Sequence, residues 1–183
     1  MKAVPIVKFP HSVLRRPAEA VKPAEISSAR IRLLIADMKE TLAAAADGVG
    51  LAAPQVGVRL RIFLVSEEAL QIDSRVRTDA PGAQGKKRAW EYRVFINPVL
   101  KKRSRKKIEM AEGCLSVPGK FGLVPRSEKI LVEWLDEHGQ KHARGLTKFF
   151  ARVIQHELDH LDGLLISDRA RRLVTVPADG RSH

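Results

Sequence analysis

The sequence predicts an α+β fold in which small antiparallel sheets pack around one central helix, with a further helix near the N-terminus. Two helical repeats and several short β-type runs carry this prediction. Phe149, Val153, His156 and His160 recur at spacings of four, three and four, the period of one helix face. Ile31, Leu34, Ile35, Met38 and Leu42 form a similar stripe earlier in the chain. Between the two lie runs such as Ile62-Phe63-Leu64-Val65, which suit buried strands.

Taken in order, residues 5–7 form a short strand and residues 11–22 a loop that contains Pro17. Ser27 or Ser28 caps the first helix, which runs to about Asp47 before Gly48 ends it. Residues 59–66 form a strand with a buried apolar run. Residues 92–100 form another, and Pro98 places that end near an edge or a bulge because proline lacks a ladder donor. The block Lys101-Lys102-Arg103-Ser104-Arg105-Lys106-Lys107 lies between Val99-Leu100 and Ile108 and reads as the charged tip of a hairpin. Residues 130–134 and 140–146 are strands joined by a turn at Glu137-His138-Gly139. The central helix follows, with Thr147 as its N-cap and Gly163 as its stop. Residues 173–176 make a last short strand. The 183 residues form a single domain. An insertion at about 67–89 has the length of a lid or mobile segment, and a flexible tail covers about 177–183.

The central helix carries the most informative motif, His156-Glu157-x-x-His160. Residues four apart share a helix face, so both imidazoles can reach one metal ion. Glu157, one step round, can face a water beside that ion and take its proton. The alternative is a surface helix on which the motif arose by chance.

Two further segments bear on that choice. Glu112-Gly113-Cys114-Leu115-Ser116 contains the only cysteine of the chain. Cys114 is a small buried hydrophobe, a free thiol, a nucleophile or a metal ligand. As a ligand it would complete a Cys-His-His set with a fourth position open for water. Gly48-Val49-Gly50-Leu51-Ala52-Ala53-Pro54-Gln55 offers glycines that allow close backbone approach. It also offers a Gln amide that can donate to a developing oxyanion, although a glycine-rich helix exit is ordinary loop chemistry.

Gly-x-Gly-Leu-Ala-Ala-x-Gln, Glu-Gly-Cys-Leu-Ser and Gln-His-Glu-x-Asp-His, in that order, resemble the peptide deformylase family over roughly residues 5–170. The resemblance implies a metal-dependent hydrolase that removes the formyl group from the N-terminal formylmethionine of newly made polypeptides. It implies one divalent ion, Fe2+ as the native metal, with Zn2+, Ni2+ or Co2+ able to substitute. By motif position, Cys114, His156 and His160 would be the ligands and Glu157 the general acid/base. Gln55 and the backbone N–H of Leu115 would form the oxyanion hole. Gly50 would contact the substrate backbone near Gly113, and Val49, Met110, Phe149 and Val153 would shape the methionine pocket. Phe121 stands where many bacterial members carry an Arg near the peptide. Arg152 stands where an apolar residue is found, its stem covering the pocket and its guanidinium in water. Asp159 would accept from an imidazole or from Arg144 or Arg152, and Glu112 would hold the glycine or cysteine loop.

Composition fits this reading. A hydrophobic content of 44% with mixed charge suits a globular protein, and no apolar run is long enough to cross a bilayer. One cysteine and no signal core point to the cytoplasm. The net charge of +12 is densest at Lys101–Lys107, either a solvated tip that blocks edge pairing or a contact for ribosomal RNA. Nearby Trp90, Tyr92 and Phe95 read as core or strand residues rather than a base-stacking platform.

Two other classes use parts of the same sequence. A zinc endopeptidase would need a third His or Glu ligand and would cut internal peptide bonds. A ribosome-binding module with a structural metal would close its site with four protein ligands, where three good ones are present.

Overall fold

The computed structural model describes residues 2–45, 48–70 and 91–175. Strands β1 (Gly50–Ala52), β2 (Ile62–Ser66), β3 (Tyr92–Arg103), β6 (Lys129–Leu135) and β7 (Lys141–Thr147) make a five-stranded sheet in the order β1-β2-β3-β6-β7. Strands β4 (Lys107–Gly113), β5 (Lys120–Ser127) and β8 (Arg172–Thr175) make a second sheet of three. Every strand pair in both is antiparallel. The helices are α1 (Ala29–Ala44), α2 (Lys148–Leu161) and the single turn α3 (Ile166–Arg169). The α+β class with small antiparallel sheets around a central helix is what the sequence predicts.

Strand periodicity explains how the larger sheet is covered. All five residues of β2 are buried, and alternate side chains serve opposite faces. Ile62 and Leu64 join Ile31, Ile35, Met38 and Leu42 of α1 in one core. Phe63 and Val65 join Phe150, Ile154, Leu158 and Leu161 of α2 in the other. Phe63 stacks on Phe95, which packs on Trp134, with centroids 4.7 Å apart in both pairs. A fully buried side chain of this size is worth about 1.5–3 kcal/mol of transfer free energy.

Helix α2 is buried almost all round and divides into three stripes. Phe150, Ile154, Leu158 and Leu161 face the larger sheet. Arg152, Gln155 and Asp159 face β5: Gln155 exchanges hydrogen bonds with the Ser127 backbone, Arg152 donates to the Val124 carbonyl, and Asp159 accepts from Arg126. Val153, His156 and Glu157 line a cleft beside the Cys114 loop, and His160 meets the Cys114 thiol.

Several local expectations change. Residues 5–7 are extended but join no strand ladder; the Val7 N–H donates instead to the Gln55 carbonyl. Ser28 caps α1 by accepting from the Ile31 N–H, but the helix ends at Ala44 rather than near residue 47. Thr147 sits at the N-cap of α2 without a side-chain hydrogen bond, and Lys148 takes a left-handed φ of 58°. The block 101–107 is not a hairpin tip. β3 pairs with β6 and β4 with β5, so the block crosses from one sheet to the other. Pro98 lies at a register shift between Ile96 and Val99, as its missing donor requires. The insertion expected at about 67–89 falls largely outside the described residues, as does the 177–183 tail. Its flanks are tied, because the Glu67 N–H donates to the Glu91 carbonyl at 2.9 Å.

Gly163 ends α2 with φ +74°, and a Cβ there would sit 2.8 Å from the Arg15 carbonyl oxygen. Gly163→Ala is therefore expected to destabilise the fold by about 1–3 kcal/mol, from left-handed strain and backbone overlap together. Urea denaturation with an unchanged slope measures it. A midpoint equal to the parent's would show that the helix exit is not constrained.

Candidate metal centre and active site

Two histidines on α2 and one cysteine on the loop after β4 meet at the cleft. One ligand atom each from Cys114, His156 and His160 lies within 4.8 Å of the others. The Cys114 sulfur is 3.2 Å from His160 Nε2. The thiol, of the four readings open to it, stands in a position to ligate. A Cys-His-His donor set with soft and borderline atoms suits zinc or a divalent transition ion and leaves room for another ligand.

The imidazoles are set from behind. Glu112, on β4, accepts from His156 Nδ1 at 3.1 Å, which orients the ring so that its other nitrogen meets the Cys114 thiol. The same carboxylate accepts from Arg126 Nε and Nη2 at 3.0 and 2.9 Å and from Arg152 Nη1 at 2.6 Å. Burial would raise the Glu112 carboxyl, but the His156 and Arg126 hydrogen bonds outweigh it and hold it at about 2. Arg126 also pairs with Asp159, which accepts from Arg169 as well. Burial and the neighbouring His156 push His160 well below the usual histidine range, the neutral form a ligand needs.

Glu157 is 3% exposed, and its Oε2 has no hydrogen-bond partner among the described residues. Burial lifts its carboxyl to about 7 in the field of the protein's own groups. A buried carboxylate oxygen without a partner is costly and marks a place where another group belongs. Gly50 makes the room: a Cβ there would overlap the Glu157 carboxylate. Gln55 is 1% exposed and rigidly placed. Its Oε1 accepts from the Ala52 N–H at 2.8 Å, and its Nε2 points at Ser116 Oγ (3.2 Å) and the Cys114 sulfur (3.9 Å).

The cleft encloses about 460 Å³. Val49, Gly50, Gln55, Gly113, Leu115, Phe149, Val153 and Glu157 all line it, as expected. Met110 does not; it is 43% exposed and paired with Val124. Phe121 lines the cleft and covers Gly113, where a Cβ would meet its ring at 2.9 Å.

Three other assignments are corrected. The Arg152 guanidinium is not in water: it is 4% exposed and bonded to Glu112 and to the Val124 and Ile108 carbonyls. Asp159 takes Arg126 and Arg169, not Arg144 or Arg152. Glu112 holds an imidazole and two guanidiniums rather than the loops. Sequence reasoning missed Arg126 and the Ser116 hydroxyl. Neither carries a signal of its own, because a lone Arg in a strand reads as exposed. His138 and His142 stay remote from the centre: His138 sits in its turn, and His142 bonds Asp136 and stacks on Trp134.

Most of the chain matches known proteins. The family model described as polypeptide deformylase matches residues 3–175. Peptide deformylase 2 of Nostoc sp. is 42% identical over 91% of this chain and 85% of its own length. A peptide deformylase of Symbiobacterium thermophilum is 41% identical over 98% of this chain and 72% of its own. Among solved structures, the Met-Ala-Ser-bound class I type b peptide deformylase of Acinetobacter baumannii superposes with a TM-score of 0.76 at 31% identity, over 92% of this chain and all of that one. With these relatives, this sequence match and this fold, the chain belongs to the polypeptide deformylase family, metal-dependent hydrolases that remove the formyl group from the N-terminus of newly made polypeptides.

Proposed function

We propose that this deformylase holds its ion through Cys114, His156 and His160, with Fe2+ as the native metal and Zn2+, Ni2+ or Co2+ as substitutes. The observation that carries the assignment is the convergence of these three donors beside the unpartnered Glu157 carboxylate. A divalent ion held there supplies Lewis-acid chemistry, polarising the formyl carbonyl and acidifying water. Glu157 takes a proton from the attacking water and returns it to the amine nitrogen as the C–N bond breaks. Gln55 Nε2 and the Leu115 N–H donate to the carbonyl oxygen as it gains charge. Formate and a free amino terminus leave.

The substrate enters as an N-formylmethionyl peptide. The Met-Ala-Ser held by the Acinetobacter enzyme supports a methionine-first peptide in the same cleft. Gly50 and Gly113 give the peptide backbone close approach, and Val49, Phe149 and Val153 surround the methionine side chain. The chain acts as one catalytic domain in the cytoplasm. Among the described residues no helix is long and apolar enough to cross a membrane.

The basic crossover supports a contact with ribosomal RNA. Lys101 pairs with Glu133 and Lys106 with Glu128, while Lys102 and Arg105 have no ion pair among the described residues. Unpaired surface cations are the groups that release counterions on meeting phosphate.

Formate release from formyl-Met-Ala-Ser by anaerobically purified enzyme, with the metal quantified, tests the site. Cys114→Ala should lose both metal and activity. Glu157→Ala should keep the metal and lose about two or more orders of magnitude in kcat. Full activity in the first, or loss of metal in the second, would overturn the assignment of roles.

Gln55→Ala should raise the barrier by about 2–4 kcal/mol with the metal retained. A near-parental kcat would remove Gln55 from the oxyanion hole.

Lys102→Glu with Arg105→Glu should weaken co-sedimentation with ribosomes, the more so at low salt, while turnover of the short peptide is unchanged. Equal ribosome affinity would make the crossover a solvated surface.

A further inference from the structure

A second cavity of about 420 Å³ lies on the other side of α2 from the cleft, between β3, the start of β4 and the end of β5. Its size is that of a small-ligand pocket. Five cations line it: Arg61, Arg103, Lys107, Arg126 and Arg169. Three of them are neutralised in place. Arg61 pairs with Asp162, Arg169 with Asp159, and Arg126 with Asp159 and Glu112. Arg103 and Lys107 have no hydrogen-bond or ion-pair partner for their side chains among the described residues. They stand at the end of β3 and the start of β4, where the chain crosses between sheets.

The remaining wall is mixed: Ser127 and Gln155 are polar, Asp159 and Asp162 are the carboxylates that pair with the arginines, and the rest is apolar. Pro98, Val99, Pro125 and Leu158 contribute to it, and Val99 is 52% exposed despite its chemistry. Pro98 is held by the bulge in β3, so its ring is fixed by backbone geometry. The pocket thus combines a partly apolar wall with two exposed cations that have no partner among the described residues. A phosphate monoester, with a charge of about −1.5 to −2 at neutral pH, matches that surplus. The apolar part of the wall asks for a flat, poorly hydrated body attached to it.

We propose that this pocket binds the phosphate monoester of a nucleotide, with Arg103 and Lys107 on the phosphate and the base against Pro98, Val99 and Leu158. The ligand is either a free nucleoside monophosphate or the phosphorylated end of an RNA; both present the same chemistry. The site is separate from the metal centre and does not depend on the roles proposed there.

Calorimetric titration of the metal-loaded enzyme with AMP, and separately with a short 5′-phosphorylated single-stranded RNA, tests this. One of the two should bind saturably at physiological salt, and the tighter one identifies the source. Arg103→Ala with Lys107→Ala should weaken that binding about tenfold or more, the cost of one charge-assisted contact or several. Lys22→Ala with Arg30→Ala removes the same charge from exposed positions outside both the pocket and the basic crossover, so it should change binding less than twofold. Circular dichroism and the melting temperature check that each variant is folded. Equal weakening in both double variants would mean diffuse attraction to a basic surface and would overturn the proposal. So would the absence of saturable binding by either ligand.

Discussion

The buried Glu112 carboxylate is the constraint on which the rest of the site depends. It takes hydrogen bonds from Arg126, Arg152 and His156, and so ties β4, β5 and α2 at one point. Each of the three partners would be expensive to bury alone. Together with Asp159 they form a network in which charge is nearly balanced and most donors are used. Such a network adds little net stability over apolar packing, but losing one member leaves a buried charge uncompensated at a cost of about 3–5 kcal/mol. Its value is geometric: it orients an imidazole that faces the cleft.

The same helix serves three environments at once, and this accounts for the two-sheet architecture. An apolar stripe requires a sheet to cover it, a stripe of Arg152, Gln155 and Asp159 requires partners in polar groups and backbone of β5, and the histidine stripe requires an opening. A single sheet could meet only one of these needs. The five-stranded sheet supplies the apolar cover, and the three-stranded sheet supplies carbonyls, Arg126 and the cysteine loop.

The sequence made the chemistry more legible than the scaffold. His156, Glu157 and His160 announce themselves because helical spacing converts directly into a shared face. Strands β6 and β7 were readable from alternation and a glycine turn. Strand β5 was not, since Gly122 and Pro125 interrupt it and Arg126 sits at an inward position. Its burial follows from partners 14 and 33 residues away, which no local pattern encodes. The basic crossover was misread for a related reason. Apolar flanks reveal that strands surround it but not which strands they pair with, because register is a property of the whole sheet. Residues 5–7 have strand chemistry, yet their hydrogen bonds go to a loop.

That N-terminal segment has a consequence for the order in which the molecule can be built. Val7 and Phe9 bond to the backbone at Gln55 and Ser116, and Ala18 bonds to Leu161 at the end of α2. Val7 can therefore find its partner once residue 55 has been made, whereas Phe9 and Ala18 lack theirs until Ser116 and Leu161 have been synthesised. Contacts of such long sequence separation form late, after the loop-closure entropy has been overcome. During translation these contacts must wait, and the catalytic cleft is completed only when α2 docks between the five-stranded sheet and the β4-β5 pair.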